Sequence, residues 1–427
     1  MSGILFSFIH DVTLYRLKLA AVGCATVFLI DLYVFRSVYY AFKNHNSFLR
    51  NGIYGVHWLL SIGIIITIVW YRLGDVLNYH SIVREWIVGW MLIIYGSKLI
   101  ACIILFFDDA RRFFNGVLLK RKKHAVAPDS PAISRSEFLM KTAVVAGAVP
   151  FTALSFGIIH GAHDYRVIRE TVTLPGLPKS LHGLRIGQIS DIHAGTLFNK
   201  TAVRGGIDLL LNEKTDIIFF TGDLIDYFTR ELNDWISVFA ALKAPLGVYS
   251  ITGNHDYGDY NWWPSEEAKQ NEFNSLVNAH RLMGYELLLN KNKIIGIGNE
   301  QLAIIGVENW SLKRDRRYGN IDQAVKGTED VPVKLLLSHD PTHWDAEVRT
   351  RHPEIQVTFS GHTHGGQLGV EVGKLRVSPA QFRFKQWAGL YQENDQYLYV
   401  NRGFGCLGYP GRMGMPPELT VVELKRG

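Results

Sequence analysis

Between Asn51 and Tyr71 the chain runs 21 residues without an Asp, Glu, Lys or Arg, and Arg50 and Arg72 stand at the two ends. That length is enough to cross a hydrocarbon core of about 30 Å. Inside such a core a lone segment satisfies its backbone only as a helix, so this stretch fixes the kind of structure available to its neighbours. Trp86 to Phe107 is a second apolar run, interrupted only by Lys98, whose stem could snorkel or face a neighbouring helix. Thr142 to Ile159 is a third, rich in Ala and Gly. Leu14 to Phe35 is a fourth candidate, which Arg16, Lys18 and Asp31 intrude upon; Asp31 reads as an interfacial residue near a helix end rather than a functional intramembrane acid. Residues 1–160 are therefore expected to form about four transmembrane helices, and residues 161–427 a separate domain. The mean hydropathy of +0.06 averages these two unlike parts.

Loop charges orient the spans. Arg36 to Arg50 carries three basic residues and no acid, and Asp108 to Lys141 carries eight, including Lys120-Arg121-Lys122-Lys123. The connection from Arg72 to Glu85 carries two. With the basic loops in the cytoplasm, both ends of the membrane region face outward. The expectation is an integral protein of a bacterial inner membrane whose second domain lies in the periplasm or outside the cell. Ser134 to Lys141, before the third apolar run, resembles a twin-arginine export signal but has one Arg where a pair is expected.

In the second domain, five apolar runs each end in a polar turn. Leu184–Ile189 leads to Asp191-Ile192-His193, Ile217–Phe220 to Gly222-Asp223, and Val248–Ile251 to Gly253-Asn254-His255-Asp256. Leu335-Leu336-Leu337 leads to His339, and the run through Phe359 to Gly361-His362-Thr363-His364. Short apolar runs alternating with amphipathic helices at Lys200–Asn212 and Leu232–Leu242 read as parallel strands of an α/β sheet. Ligands at the carboxyl ends of such strands converge on one edge. Further strands are expected at Tyr285–Leu289, Leu302–Val307 and Ile355–Ser360, a helix at Ser265–Met283, a second sheet from Tyr397–Asn401 and Leu419–Leu424, and a linker at Gly161–His182. One such turn alone would be a capping Asp or a core His. All five together offer Asp, Asn and His oxygens and nitrogens, a set suited to two hard or borderline divalent ions sharing one carboxylate. The three cysteines, Cys24, Cys102 and Cys406, form neither a disulfide framework in this domain nor a zinc spacing.

With those blocks in place, residues from about 180 onward resemble the calcineurin-like metallophosphoesterases, whose signature runs D-x-H, G-D, G-N-H-[D/E], H and G-H-x-H. The resemblance implies a four-layer β-sandwich flanked by helices. It implies that Asp191, His193, Asp223 and His364 hold one metal and that Asp223, Asn254, His339 and His362 hold the other. It gives His255 phosphate contact and proton donation to the leaving oxygen, with Asp256 orienting its ring. The implied reaction is attack of metal-bound hydroxide on phosphorus, with manganese, iron or zinc as the ions.

Asn401 to Gly405 and Tyr409 to Arg412 resemble the closing loops of membrane-attached bacterial members, which makes Arg402 and Arg412 candidates for substrate contact. Trp262-Trp263 and the cationic loop Lys313 to Arg317 are further surface features that could meet a lipid or a phosphate. The expected activity is a phosphodiesterase or pyrophosphatase acting on a lipid- or nucleotide-linked substrate. The alternative is a receptor-like protein whose domain binds ligand without turnover, which leaves His255 and Asp256 without a use. No extended basic and aromatic groove is evident, which argues against a nucleic-acid substrate.

Overall fold

The computed structural model describes residues 2–73, 81–118, 135–373 and 375–427. The basic tetrad at 120–123 lies outside them. The chain divides into two compact units, Met1–Tyr79 with Trp86–Ser155, and His80–Glu85 with Phe156–Gly427.

The first unit is built on α1 (Ser2–Phe42), α2 (Ser47–Leu73) and most of α3 (Ser81–Phe113) and α4 (Arg135–Ile159), whose first and last turns respectively fall in the second unit. Each contains a window long and apolar enough to span a membrane: Leu14–Phe42, Ser47–Arg72, Trp86–Gly116 and Arg135–His163. Large apolar side chains such as Leu59 and Phe107 point outward, as lipid-facing residues do. Asp31 departs from the interfacial position expected of it: it is fully buried in the bundle. Its carboxylate takes Lys98 Nζ at 2.5 Å and the Tyr95 hydroxyl at 2.9 Å, and its carbonyl lies 3.2 Å from His57 Nε2. Lys98 thus faces a neighbouring helix, where its charge is cancelled.

The second unit contains β1 (Arg166–Leu174), β2 (Arg185–Ile189), β3 (Ile217–Thr221), β4 (Val248–Ile251), β5 (Glu286–Leu287), β6 (Lys291–Ile297) and β7 (Glu300–Gly306). It continues with β8 (Val333–Leu337), β9 (Val357–Ser360), β10 (Val370–Val372), β11 (Leu375–Val377), β12 (Gly389–Glu393), β13 (Gln396–Val400) and β14 (Glu418–Arg426). Helices α5 (Lys200–Asn212), α6 (Ile236–Phe239) and α7 (Glu266–Met283) interleave with the early strands. Two six-stranded sheets form, ordered β1-β14-β2-β3-β4-β5 and β12-β13-β9-β8-β7-β6. Alternation along each strand sends one set of side chains between the sheets and the other under the helices. Ile186, Phe219 and Ile251 meet Leu335, Val357 and Phe359 in the middle layer. Ile218 and Phe220 pack instead with Val203 and Ile207 of α5 and with Leu276 of α7. Leu336 and Leu398 cover the outer face of the second sheet with Trp344. The result is a four-layer sandwich.

Three expectations need correction. The linker at Gly161–His182 holds β1, nine residues paired in parallel with β14; its alternating Arg-Val-Ile-Arg-Glu-Thr-Val-Thr-Leu is an edge strand with one wetted face. β14 lies in the first sheet, antiparallel to β2, so the carboxyl-terminal strands do not together make a second sheet. The helix at Leu232–Leu242 shrinks to the single turn of α6 behind a 3-10 turn at Thr229–Leu232.

Candidate metal centre

β2, β3 and β4 run parallel in one sheet and β8 and β9 run parallel in the other, and all five release their polar turns at carboxyl ends. The turns are tight enough to be costly. Asp191, His193, Asp223, His362 and His364 all adopt positive φ, between 46° and 70°, a region that non-glycine residues avoid. Backbone strain of this kind persists where the surroundings impose it, and it clusters at functional sites. Two glycines make room. A Cβ on Gly253 would collide with Asp223, and one on Gly361 with Ser190 and Asp191.

The donor atoms fall into two groups. Asp191, His193 and His364 offer atoms within 4.8 Å of one another, and so do Asp223, His339 and His362. His364 Nε2 stands 3.1 Å from His193 Nε2 and 3.4 Å from Asp191 Oδ1. His362 Nδ1 stands 3.2 Å from His339 Nε2. Asp223 Oδ2 lies between the groups, 3.2 Å from His339 Nε2 and 3.5 Å from His193 Nε2. Asn254 sends Nδ2 to the Tyr260 hydroxyl at 2.8 Å and leaves a buried Oδ1 with no hydrogen-bond partner.

This donor set fits a pair of divalent cations. Imidazole nitrogens facing one another, two carboxylates and an orphaned amide oxygen share an excess of lone pairs that only positive charge relieves. The electrostatics of these groups point the same way. Burial alone would raise the Asp223 carboxyl, yet His339 and His255 hold it well below the usual carboxylate range. Burial opposes protonation of His339, yet the Asp223 carboxylate lifts its imidazole to about 10. Against the same penalty, Asp226 and Asp223 raise His193 well above its ordinary value. The carboxylates there call for positive charge, which cations would supply.

Around the donors sits a layer of orienting contacts. Asp226 Oδ1 is 3.0 Å from His193 Nδ1, and the Thr221 carbonyl is 2.8 Å from His339 Nδ1, so each ring's second nitrogen is fixed. The His362 amide donates to Asp191 at 2.9 Å, and the His255 amide to Asp223 Oδ1 at 2.9 Å. Glu231 accepts from the amides of Asp226, Tyr227 and Phe228, clamping the loop that presents Asp226.

His255 is buried beside the donors, with its Nδ1 2.9 Å from the carbonyl of Asp226 and its ring stacked on Tyr260 at 4.5 Å. Burial pushes its pKa below the ordinary value. Asp256 does not reach that ring. Its carboxylate accepts from the amides of Gly253 (2.8 Å), Asp223 (3.0 Å) and Leu224 (2.9 Å), so it braces the backbone under the proposed bridge. The reason is local: Asp256 closes the turn begun at Gly253, which aims its side chain inward while His255 points across the site.

Arg402 and Arg412 are also placed differently from a substrate contact. Arg412 is fully buried and donates to the carbonyls of Gly405 (2.6 Å), His364 (3.3 Å) and Met415 (3.3 Å). Arg402 is held by Glu371 at 3.0 Å and lies 3.4 Å from Glu418. From the loop Lys313–Arg317, Arg316 stacks over the Tyr260 ring at 4.2 Å, which brings one cation of that loop near His255. Trp262 is exposed, whereas Trp263 donates to the Gly258 carbonyl at 2.8 Å. Arg316 lies in the cationic loop that the sequence offered for a phosphate, whereas Asp226 and Tyr260 were not singled out; Asp226 had a faint signal, three residues past Asp223.

Residues 184–366 match the family described as "Calcineurin-like phosphoesterase", and residues 16–162 match "Probable Calcineurin-like phosphoesterase, transmembrane domain". Residues 184–366 thus form a calcineurin-like metallophosphoesterase domain that follows a transmembrane domain of the kind found with it, and the chain is a membrane-attached, metal-dependent phosphoric ester hydrolase. It is 27% identical over 351 residues to a Danio rerio "Transmembrane protein with metallophosphoesterase domain", covering 79% of this chain and 74% of that one. It is 28% identical to the uncharacterized metallophosphoesterase YkuE of Bacillus subtilis, covering 69% and 98%. With the phosphodiesterase YaeI of Escherichia coli the identity is 26%, covering 68% and 99%.

Proposed function

We propose that this chain is a membrane-anchored phosphodiesterase or pyrophosphatase acting on a lipid- or nucleotide-linked phosphoester at a dinuclear centre. The observation that carries the reading is the pair of donor groups joined at Asp223 Oδ2, with His255 fixed beside them. Asp191, His193 and His364 would hold one ion, and Asn254, His339 and His362 the other, with Asp223 shared. Manganese, iron and zinc all suit such ligands. When bound, two such ions lower the pKa of a water and stabilise charge on the phosphoryl oxygens.

The chain's own residues do the rest. His255 Nδ1 donates to the Asp226 carbonyl, which leaves Nε2 to carry a proton to the departing oxygen. Tyr260 stacks on the ring and bonds Asn254, so one side chain aligns both the acid and a ligand. Arg316, stacked on Tyr260, is placed to meet a substrate phosphate. Asp256 keeps the turn after β3 rigid through three amides. We further place the functional boundary at 160/161, with residues 1–160 as anchor. The loop charges support a bacterial inner membrane and a catalytic domain on its outer side.

The test is the full chain stripped of metal, reloaded with Mn²⁺, Fe²⁺ or Zn²⁺, and offered a chromogenic phosphodiester and a phosphomonoester. Metal-dependent cleavage favouring the diester supports the reading. Two bound metals with no turnover of either substrate would overturn it in favour of ligand binding alone.

A further inference from the structure

The ribbon β10–β11 stands apart from both six-stranded sheets and pairs only with itself, Val370 with Val377, Glu371 with Arg376 and Val372 with Leu375. Since neighbouring side chains alternate faces, Val370, Val372, Leu375 and Val377 share one face and Glu371 and Arg376 the other. All six residues are exposed, Val372 at 69% and Leu375 at 61%. A little further on, Phe382 is 86% exposed. A two-stranded ribbon is marginal by itself in water, and an apolar face left open on it marks an interaction surface.

Behind the ribbon lies a cavity of about 810 Å³. Val370, Glu371 and Arg376 form one side of it, and Phe156 and His160 another. Those last two belong to the closing turns of the fourth apolar span, Arg135–His163, and the Gly157 carbonyl there accepts from the Arg412 amide at 3.0 Å. Chain connectivity thus joins one wall of the cavity directly to the end of a stretch long and apolar enough to cross a membrane. Its lining includes Arg166, Arg376, Arg402 and Arg412 against Asp164 and Glu371, four positive charges to two negative. Arg402 and Arg412 are buried and committed to protein partners. Arg166 and Arg376 are also paired, with Asp164 at 2.7 Å and Glu371 at 2.8 Å, but they keep contact with water, their side chains 59% and 36% exposed.

We propose that the ribbon and this cavity form a binding site for an anionic phospholipid. The apolar face and Phe382 enter among the acyl chains, and Arg166 and Arg376 meet the phosphate of the headgroup. The excess of positive charge selects an anion, and the adjoining apolar face selects a lipid over free phosphate. The cavity adjoins the metal centre through Arg412, which donates to the His364 carbonyl at 3.3 Å, but Arg166 and Arg376 are not among that centre's donors, so the assignment holds whether or not the centre acts on a lipid.

The test uses the full chain in nanodiscs of phosphatidylcholine, alone or mixed with phosphatidylglycerol. An environment-sensitive dye on Leu375→Cys is compared with the same dye on Gln270→Cys, an exposed position of α7, after subtracting label taken up by the parent chain. Blue-shifted emission that spin-labelled lipid quenches at Leu375→Cys but not at Gln270→Cys supports insertion; water-like, unquenched emission at both overturns it. Mass spectrometry of retained lipid gives the second arm. The parent chain should keep phosphatidylglycerol over phosphatidylcholine, and Arg166→Ala and Arg376→Ala should each lower that preference roughly fivefold, the effect of one basic side chain at an anionic surface. Metal content equal to the parent's shows that these variants are folded. A parent with no preference, or lipid displaced by millimolar inorganic phosphate, overturns the headgroup assignment.

Discussion

Among the described residues, two clusters of buried ionisable groups, one in each unit, are opposites. In the membrane helices, Asp31 is enclosed by Lys98 and Tyr95, so acid meets base and each carboxylate oxygen meets a hydrogen. In the catalytic unit, His193 faces His364, His362 faces His339, and Asp223 lies among them with no Lys or Arg in contact among the described residues. The first cluster is complete and acts as a staple between helices. The second is unfinished. Its ordinary backbone is also given up, with five donors at positive φ, whereas the Asp31 cluster rests on regular helix. A neutralised buried pair fixes register; an excess of buried acceptors held in strained turns calls for cations from outside.

The comparison breaks most visibly at Asp223. Asp223→Asn removes the shared charge, and we expect turnover to fall to background, at least about 10³-fold or ~4 kcal/mol of transition-state stabilisation. Metal counted per chain should fall with it; two metals retained with full turnover would refute the shared-carboxylate assignment. Asp31→Asn acts on the complete cluster and leaves Lys98 buried without its counterion. The expected cost is about 3 kcal/mol of stability, read from unfolding in detergent, with metal content unchanged. Pairing Asp31→Leu with Lys98→Met should recover most of it. If Asp31→Asn instead lost turnover at full stability, the membrane cluster would be functional and the contrast would fail. Asp226→Asn tests the orienting layer. It weakens the hold on His193 Nδ1, and metal affinity measured against a fluorescent chelator should drop about 10- to 100-fold. An unchanged affinity would mean that burial alone orients the ring.

How much of this was legible in the sequence follows from the same physics. The spans could be read because hydrocarbon thickness sets a length. The donors could be read because each follows a strand of Val, Ile, Leu and Phe, and strand ends of an α/β sheet share an edge. β1 could not, because one face of Arg166–Leu174 is wetted and its run of Arg, Glu and Thr reads as a linker. The partner of β14 is β2, across 230 residues of chain, and no local pattern carries that pairing. Asp256 was given to the His255 ring by the family resemblance, but the turn at Gly253 aims the two side chains at different targets. Tyr260 and Arg316 come from separate loops, and only the folded chain stacks one on the other. Asp31 was read by its place in the sequence, and its partner Lys98 lies 67 residues away.

His280 supplies a third case, a buried base with neither a counterion nor a metal role. It lies fully buried on α7, with Nδ1 3.0 Å from Ser250 Oγ and a buried Nε2 that has no partner. Burial depresses its pKa to about 3. The sign follows from linkage. Between the unfolded value near 6.5 and the folded value, the unfolded chain binds a proton that the folded chain refuses, so stability is present above pH 6.5 and is lost as pH falls towards 3. One such group contributes a slope of up to about 1.4 kcal/mol per pH unit in that window. Denaturant unfolding of the metal-free chain at several pH values between 4 and 7, compared with His280→Gln, isolates this slope from the carboxylates that titrate beside it. The variant should lose some stability at neutral pH and show a shallower acid limb. Identical slopes would mean that His280 takes up a proton inside the fold, and that a buried base in this unit finds its countercharge without a partner in contact.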